Sequence, residues 1–325
     1  MNIDMIRAAE ARIGGRLRHM PFLSSPFLDR IAGRRILVKP ECLQHTGSFK
    51  YRGASAALSA LSPEARARGV VAFSSGNHAQ GVALAGAEQG APVVILMPSD
   101  APAVKIANTR ALGAEVILYD RRTEDRDALG ARIAGDRGLT LVRPYDDPQV
   151  IAGQGTVGLE IAAEARALGI DRAEVFVPCG GGGLTSGIAL ALEADAPGLT
   201  VRPCEPETHD DMRRSLLAGA IRGNENPRPS LCDAIVTPAP GNITFPLVSA
   251  RAGAGLAVSD DEALKAVGEA WQRLRIVAEP GGAVALAAAL YRTAETGADT
   301  IIAVVSGGNV DAAIFRRALD LVAAA

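Results

Sequence analysis

The sequence predicts an α/β protein built on two open, twisted, mostly parallel sheets flanked by helices. Short and nearly continuous apolar runs alternate with helix-like stretches along most of the 325 residues. Strands that are buried on both faces have such runs, which is typical of a parallel sheet covered by helices on each side. A chain of this length exceeds one ordinary core and favours two domains or one large α/β unit.

Residues 69–146 are predicted to form a small inserted domain. Its strands are predicted at 70–73, 93–97, 115–119 and 139–142, and its helices at 78–89, at 103–112 and from about 123. Residues 1–68 and 147–325 are predicted to form a large domain together, because the first 68 residues lack three strands of their own.

The large domain is predicted to hold strands at 36–38, 175–177, 199–202 and 301–305. Its predicted helices begin at Ser62-Pro63, cover 150–168, 184–194 and 260–275, and follow the glycines of 280–282. The segment 220–246 is rich in Pro, Asn and Gly and is predicted to be irregular.

Composition excludes several classes of function. A net charge of −2 leaves no basic surface for nucleic acid or an anionic membrane. No apolar run reaches the length of a membrane span, and the helix-like N-terminus lacks the apolar core of a signal peptide. The cysteines are too far apart for a metal-type pair (Cys42, Cys179, Cys204, Cys232). The sequence therefore predicts a cytoplasmic protein without nucleic-acid or membrane partners.

Lys50 is predicted to lie in the first turn of a helix that follows the strand at 36–38. Ser48 or Thr46 would cap that helix. The macrodipole and desolvation would both lower the pKa of Lys50, as a Schiff-base lysine requires. Taken alone, the segment also fits an exposed helix lysine beside Arg52.

A second loop, at 74–78, follows a predicted strand and opens a helix. The amides of Ser74, Ser75, Gly76, Asn77 and His78 would form a concavity suited to a carboxylate. The side chain of Asn77 adds a donor, and the hydroxyl of Ser75 could carry a proton. A simple capped turn is the alternative.

Two glycine-containing loops complete the set. Gly180, Gly181, Gly182 and Gly183 stand between a strand and the helix that Leu184 enters, which predicts a backbone cradle for a phosphate monoester. Their spacing fits neither a Walker loop nor a dinucleotide fold. In the loop 306–309, the hydroxyl of Ser306 could meet a heteroaromatic nitrogen, although a strand-end turn would look the same.

Together, the motifs at 48–54, 74–78, 180–183 and 306–309 resemble those of pyridoxal-phosphate enzymes of the tryptophan-synthase-β fold, in the family's order. The nearest similarity is to the serine/threonine dehydratases and serine racemase. The resemblance implies a homodimer with pyridoxal 5'-phosphate in a cleft between the large and small domains.

The resemblance also implies residue roles. Lys50 would hold the cofactor as a Schiff base and act as the base at Cα, and Ser75 matches the position that, in the racemase branch, acts as acid/base on the opposite face. The implied cofactor contacts are Phe49 beside the ring, Asn77 at the ring's 3-oxygen, Ser306 at the ring nitrogen, and Gly180, Gly181, Gly182, Gly183 and Leu184 at the phosphate. The loop of Ser74 to His78 would hold the substrate carboxylate.

These roles select a reaction type. A neutral serine cannot keep the ring nitrogen protonated, so the ring is a weaker electron sink and rapid loss of a β-substituent is favoured. The prediction is a dehydratase (ammonia-lyase) for serine, threonine or 3-hydroxyaspartate. Its alternatives are a racemase, a dehydratase of hydroxyectoine breakdown, a non-catalytic ligand-binding homologue and, on fold alone, a nicotinamide dehydrogenase.

Two further sites follow from the resemblance. Glu205, the main-chain carbonyl of His209 and Asp211 match the metal segment of serine racemase and would suit Mg²⁺ or Ca²⁺. An acidic, solvated helix start is the alternative. Arg126 aligns with an arginine that reaches a substrate's distal carboxylate in relatives, or it belongs to the surface. Two departures from close relatives, at His45 and Ala234, are expected to alter the substrate entrance and the surroundings of the ring.

Overall fold

The structure of the protein, a computed structural model, describes residues 1–101, 103–225 and 228–323. Its ten strands in this part of the chain are β1 (Leu23–Ser24), β2 (Arg35–Lys39), β3 (Val70–Phe73), β4 (Val93–Pro98), β5 (Glu115–Tyr119), β6 (Thr140–Leu141), β7 (Ala173–Pro178), β8 (Leu199–Pro206), β9 (Leu256–Val258) and β10 (Thr300–Val304).

The strands form two sheets. One has six strands in the order β1-β2-β10-β7-β8-β9, and the other has four in the order β5-β4-β3-β6. Every strand pair is parallel except β1 with β2. This arrangement confirms the predicted fold class.

Helices cover these sheets. They are α1 (Ile3–Ile13), α2 (Pro26–Ala32), α3 (Lys50–Ser59), α4 (Pro63–Arg68), α5 (Asn77–Gln89), α6 (Ala103–Ala111), α7 (Arg126–Arg137), α8 (Pro148–Ala167), α9 (Gly183–Asp195), α10 (Asp211–Ala218), α11 (Thr244–Ser249), α12 (Asp260–Glu269), α13 (Pro280–Tyr291) and α14 (Ala312–Ala323). None of these described helices combines the length and apolarity needed to cross a membrane.

Most predicted elements are present, with shifted ends. Helix α7 begins three residues later than predicted, because the Asp125 side chain caps it by accepting from Asp127 N and Ala128 N. Strand β8 runs to Pro206, four residues past its predicted end. The segment predicted to be irregular, 220–246, contains a short 3₁₀ turn and the start of α11, and its residues 226–227 lie outside the described residues.

The four-stranded sheet lies wholly within 70–141, and the six-stranded sheet takes strands from both sides of that segment. Their cores are lined by different apolar clusters: the strands β3 and β4 pack against Tyr119 and Leu129, whereas β7 and β10 pack against α13 on one face. The domain boundaries at 69 and 146 stay a prediction.

Small residues allow α3, α8 and α9 to approach closely. A Cβ on Gly153 would lie 2.4 Å from the Arg52 carbonyl oxygen, and one on Gly187 would lie 2.7 Å from the Gly155 nitrogen. Real Cβ atoms do not tolerate such distances, so glycine is required where these helices touch. The helix that carries Lys50 is therefore held directly against α8.

A buried ionic cluster also holds α3, against α8 and against the turn that follows β2. The guanidinium of Arg52 is fully buried and binds Glu41 through two hydrogen bonds of 2.7 and 2.8 Å and Glu160 through one of 2.7 Å. Lys39 binds the other oxygen of Glu160 at 2.5 Å. Removing one partner of such a buried group costs about 3–5 kcal/mol, because the other charge is left unpaired. The cluster thereby fixes the position of Lys50, two residues before Arg52.

Candidate active site

Lys50 is the first residue of α3, as predicted, and its amine is half-buried. The Nζ donates a hydrogen bond of 2.7 Å to the Pro144 carbonyl and lies 5.1 Å from the centre of the Phe49 ring. Burial lowers the pKa of Lys50 to about 8. A much larger share of this amine is therefore neutral near neutral pH than for an ordinary lysine, which is the state that can attack a carbonyl or take a proton.

The predicted helix cap is wrong. The residue at the cap position is Phe49, in a helical conformation and without a capping side chain. Ser48 is instead extended and forms a β-bridge with Gly307, and Thr46 has a φ of 58° in the preceding turn. The tertiary pairing with the loop at 307 draws Ser48 away from the cap, and the hydroxyls of Ser48 and Thr46 are buried without a hydrogen-bond partner in the described residues.

The loop of four glycines has the form of an anion cradle. A Cβ would lie 2.8 Å from the Ile235 carbonyl if added to Gly180, and 2.2 Å from the Tyr145 ring if added to Gly181. Gly182 has a φ of 91° and caps α9, whose first residue is Gly183. The backbone thus approaches its surroundings as only glycine can, at the positive end of a helix. These residues fit a phosphate group.

Leu184 occupies the first turn of α9 and is buried. Tyr145, which sequence reasoning missed, packs its ring against Gly181, and its backbone follows the carbonyl that accepts from Lys50. The segment 144–145 therefore joins the lysine to the glycine loop. No local sequence motif predicts that Pro144 and Tyr145 belong to the site. They lie in the loop that follows β6 of the four-stranded sheet, whereas the glycine loop follows β7 of the six-stranded sheet.

The loop at 74–78 borders open space at Gly76. A Cβ on Gly76 would meet nothing within 4 Å, and the Gly76 amide donates to the Ser74 hydroxyl at 3.1 Å. His78 is buried, its Nε2 lies 3.2 Å from the Val142 carbonyl, and burial lowers its pKa to about 3. The imidazole is thus neutral and engaged inside the protein. Ser75 lies in the loop itself and is partly exposed.

Asn77 connects this loop to the six-stranded half of the molecule. Its Nδ2 donates to Glu279 Oε1 at 2.6 Å, and its Oδ1 accepts from Asn309 Nδ2 at 2.7 Å. The Asn309 amide also donates to the Thr46 carbonyl at 2.8 Å, which sets its orientation. Glu279 was missed by sequence reasoning; a carboxylate directly before the helix start at Pro280 was the available signal.

Ser306 lies beside the start of α3. Its carbonyl accepts from Phe49 N at 3.1 Å, and its own amide donates to the Gly282 carbonyl at 3.1 Å. A Cβ on the next residue, Gly307, would lie 3.1 Å from Asn77 Nδ2. The lysine, the Asn77 amide and the Ser306 loop therefore meet at one place, at the carboxyl ends of strands from both sheets.

Arg126 is exposed on one side and faces this region on the other. Its guanidinium carbon lies 5.1 Å from the centre of the Phe73 ring, directly before Ser74, and its Nε lies 3.2 Å from Asp127. Burial raises the pKa of Tyr145, and Arg126 is close enough to oppose that rise. The guanidinium is thus a near neighbour of the loop at 74–78.

His45 and Ala234, the two residues at which the sequence departs from close relatives, have defined neighbours in the structure. The imidazole of His45 packs on the Tyr51 ring at 4.9 Å between centroids and its Nε2 lies 3.1 Å from the Arg16 carbonyl. Ala234 lies in a 3₁₀ turn whose next residue, Ile235, packs against the glycine cradle. In the same turn, the exposed Asp233 lies 3.6 Å from the Lys105 amine.

The predicted metal segment brings two buried carboxylates together. Glu205 accepts from Met212 N at 2.8 Å and Arg213 N at 2.7 Å, whereas Asp211 Oδ2 is buried without a partner among the described residues. Burial raises the pKa of Glu205, and it raises the pKa of Asp211 to about 6. An unpaired buried carboxylate oxygen beside a second carboxylate fits a hard divalent cation.

Side chains alone do not complete a metal shell at this place. Within the described part of the chain, no three His, Cys, Asp or Glu side chains cluster as a metal site. The imidazole Nδ1 of His209 contacts the Thr208 hydroxyl at 3.0 Å, so its ring is engaged elsewhere. Main-chain oxygens and water would therefore have to supply the remaining ligands.

Comparisons with known proteins agree with this geometry. Residues 15–307 match the family described as "Pyridoxal-phosphate dependent enzyme". The chain is 42% identical over 308 residues to L-threo-3-hydroxyaspartate ammonia-lyase of Pseudomonas sp, covering 95% of each chain. It is 39% identical to serine racemase of Schizosaccharomyces pombe, covering 95% of this chain and 94% of the relative.

Solved structures give the same result. The fold superposes on maize serine racemase with a TM-score of 0.91 and 35% identity, covering 98% of this chain and 97% of the other. The family match extends over the lysine, the glycine cradle and all but the last two residues of the 306–309 loop. This chain is a member of the pyridoxal-phosphate dependent enzyme family.

Proposed function

We propose that this enzyme removes water from a β-hydroxy amino acid by α,β-elimination and yields a 2-oxo acid and ammonia. Among the candidate substrates, serine, threonine and 3-hydroxyaspartate, we propose 3-hydroxyaspartate. The observation that carries the reaction is the half-buried amine of Lys50, beside the Asn77 and Ser306 loops and linked to the glycine cradle through Pro144.

The cofactor supplies an electron-withdrawing group, which the side chains of the protein lack. When bound, pyridoxal phosphate provides an electron-withdrawing ring conjugated with the substrate's Cα, which stabilises negative charge there. Lys50 would hold it covalently, and the amides of Gly180 to Gly183 with Leu184 would hold its phosphate. Phe49 would lie beside the ring, Asn77 would donate to the 3-oxygen, and Ser306 would contact the ring nitrogen.

Lys50 then has the central chemical role. Its neutral amine would take the proton from Cα, and the β-hydroxyl would leave from Cβ and, together with that proton, form water. The released enamine takes up water in solution and gives the 2-oxo acid and ammonia. The amides of Ser75, Asn77 and His78 would orient the substrate by holding its carboxylate, since those of Ser74 and Gly76 already donate to the Leu96 carbonyl and the Ser74 hydroxyl.

The distal carboxylate of 3-hydroxyaspartate would pair with Arg126. That guanidinium lies beside Phe73, at the entrance of the loop at 74–78, and its one ion pair in the described residues is with the exposed Asp127. Arginine matches a carboxylate with two parallel hydrogen bonds. The similarity to a 3-hydroxyaspartate ammonia-lyase supports this choice.

A racemase is the second candidate. Ser75 lies in the same loop as Asn77 and is partly exposed, which would allow its hydroxyl to return a proton to the face of Cα opposite Lys50. The similarity to a serine racemase favours this alternative.

One experiment separates these candidates. The purified enzyme is incubated with serine, threonine and both 3-hydroxyaspartate diastereomers, and the 2-oxo acid and the enantiomer ratio are followed together. We expect the highest kcat/KM for 2-oxo acid formation with a 3-hydroxyaspartate. Inversion without 2-oxo acid would favour the racemase, and a colourless protein that ignores added cofactor would indicate a non-catalytic homologue.

The proposal extends to metal and assembly. Glu205, Asp211 and the His209 carbonyl would hold Mg²⁺ or Ca²⁺, and two copies of the chain would form a homodimer in the cytoplasm. The four cysteines are unpaired and buried, as expected for a reducing compartment. Light scattering of the purified protein would measure the subunit number.

A further inference from the structure

Glu279 is a buried carboxyl that the proposed reaction does not use. It is 5% exposed, and its Oε1 accepts from Asn77 Nδ2 at 2.6 Å. Its backbone amide donates to the Gly307 carbonyl at 3.0 Å, and a Cβ on Gly307 would lie 2.0 Å from the same Oε1. The carboxyl therefore occupies the space that the missing Gly307 side chain leaves.

The orientation of Asn77 is determined by its neighbours. Asn309 donates both to the Thr46 carbonyl and to Asn77 Oδ1, so Asn77 must present its Nδ2 to Glu279. An amide nitrogen carries two hydrogens, and only one is used by Glu279. The second hydrogen is available to another acceptor, which in the proposed function is the ring 3-oxygen.

Glu279 and the ring 3-oxygen would accept from the same amide nitrogen of Asn77, so the two acceptors would lie close together. The 3-oxygen of a bound cofactor carries negative charge, and a like charge nearby disfavours an ionised carboxylate. A protonated carboxyl still accepts through its carbonyl oxygen, so the contact with Asn77 survives protonation. Glu279 can thus neutralise itself without releasing the amide that it orients.

We propose, on the basis of the proposed function, that Glu279 is a positioning residue that aims Asn77 at the cofactor's ring oxygen and takes up a proton when the cofactor binds. Burial raises the pKa of Glu279 to about 7, which places that uptake in the neutral range. The charged and titratable groups that face it are Asp233, which raises this pKa, Lys105, which lowers it, and Cys42, whose thiol is buried nearby.

Proton uptake on cofactor binding provides the test. Apoprotein is titrated with pyridoxal phosphate by calorimetry at pH 7 in two buffers that differ in ionisation enthalpy. A group half-protonated before binding and fully protonated afterwards adds about half a proton per site. Because Lys50 also exchanges protons on binding, the quantity compared is the difference between wild type and Glu279→Gln, which imitates the protonated acid.

We expect Glu279→Gln to bind the cofactor with near wild-type affinity and to lose that half proton. Glu279→Ala leaves Asn77 without its acceptor and should bind about tenfold more weakly. Asp233→Asn, which removes a neighbouring exposed charge that raises the pKa of Glu279, should keep the uptake or increase it slightly. Equal proton uptake by wild type and Glu279→Gln would overturn the proposal, whereas the proposed function would stand if wild type still formed 2-oxo acid.

If Glu279→Gln does not fold, a second measurement on the wild-type protein tests the proposal. Infrared difference spectra of wild type, apoprotein against cofactor-loaded protein at pH 7, should show a gain in the carbonyl stretch of a protonated carboxyl. Asn309→Ala, which removes the other contact of Asn77, should retain this band. A spectrum of wild type without the gain would contradict the assignment. A wild type that does not bind pyridoxal phosphate would instead refute the proposed function.

Discussion

In the proposed function, the choice of substrate depends most directly on Arg126. Replacing it with leucine removes the partner proposed for the distal carboxylate of 3-hydroxyaspartate. A hydrogen bond to a charged group contributes about 1.5–3 kcal/mol, so kcat/KM for this substrate should fall by about 10- to 100-fold. The value for serine should change little, and steady-state assays with both substrates measure the difference.

Arg122 supplies the control for this experiment. It is an arginine of the same polar segment, but it is largely exposed and lies beside Asp120. Arg122→Leu should leave both substrates unaffected. An equal loss for serine and 3-hydroxyaspartate in Arg126→Leu would show that the arginine supports the loop at 74–78 and does not select the substrate.

Asp211 tests the proposed metal site. Its Oδ2 is buried without a partner in the described residues, so a divalent cation should bind there and stabilise the folded state in proportion to its concentration. Mg²⁺ should raise the melting temperature of wild type by a few degrees after treatment with a chelator, and Asp211→Asn should abolish that rise. Differential scanning calorimetry measures both.

Asp210 is the matched control, because its carboxylate is already paired with Arg213 and Arg214. Asp210→Asn should lower stability slightly and keep the response to Mg²⁺. A wild-type protein whose melting temperature ignores both Mg²⁺ and Ca²⁺ would remove the metal from the proposal.

Among the secondary-structure elements and their connections, the loop before α9 is a place where the structure requires glycine. A Cβ on Gly181 would lie 2.2 Å from the Tyr145 ring, and Tyr145 directly follows Pro144, whose carbonyl accepts from Lys50. Overpacking of this kind typically costs about 1–3 kcal/mol. Gly181→Ala should therefore weaken cofactor binding by about 10- to 100-fold, as measured by fluorescence titration of the apoprotein.

The control is a glycine whose replacement meets no atom. Gly135 lies within α7, and a Cβ there would have nothing within 4 Å. Gly135→Ala should leave cofactor affinity unchanged and add up to about 1 kcal/mol of stability, since alanine favours the helix. Unchanged affinity in Gly181→Ala would show that the cradle relaxes easily and is not a close-fitting site.

For the folded protein taken as one unit, Lys50 affects stability as a function of pH. The pKa of about 8 in the folded apoprotein lies below the ordinary value of 10.5. Below pH 8 the folded protein carries the full cost of a buried ammonium, and between pH 8 and about 10.5 the unfolded chain binds a proton that the folded chain has lost. Stability from this group therefore rises with pH across that window.

Lys50→Met measures this cost. The difference between the two pKa values corresponds to about 3 kcal/mol. The methionine apoprotein should be more stable than wild type by up to that amount at pH 7, and the gap should close as pH approaches about 10. Urea unfolding of both apoproteins at pH 7 and 9 measures it; a constant gap would show that the amine reaches solvent freely.

Much of the site was predictable from local sequence. Lys50 at a helix start, the glycines of 180–183 and the loops at 74–78 and 306–309 each follow a strand, and strand ends of a parallel sheet meet at one edge. The cap at Ser48 was wrong because that residue pairs with Gly307, which is distant in sequence.

The residues that were missed share one property. Glu279, Tyr145 and the Pro144 carbonyl lie at contacts between segments distant in sequence, and no periodicity or motif records such contacts. Arg52 illustrates the same limit, since an arginine in the first turn of a helix can be read as exposed, yet three carboxylate contacts hold it fully buried.

The fold class and the family follow from the order of residues alone, as does the prediction that Lys50 is the reactive amine, because alternating apolar runs and strand-end motifs are local properties of the chain. The state of that amine and the direction of the Asn77 amide follow from folding. Both depend on burial and on partners more than 90 residues away, Pro144 for Lys50 and Glu279 for Asn77. Electrostatic interactions depend on distance in space, which a linear sequence does not contain.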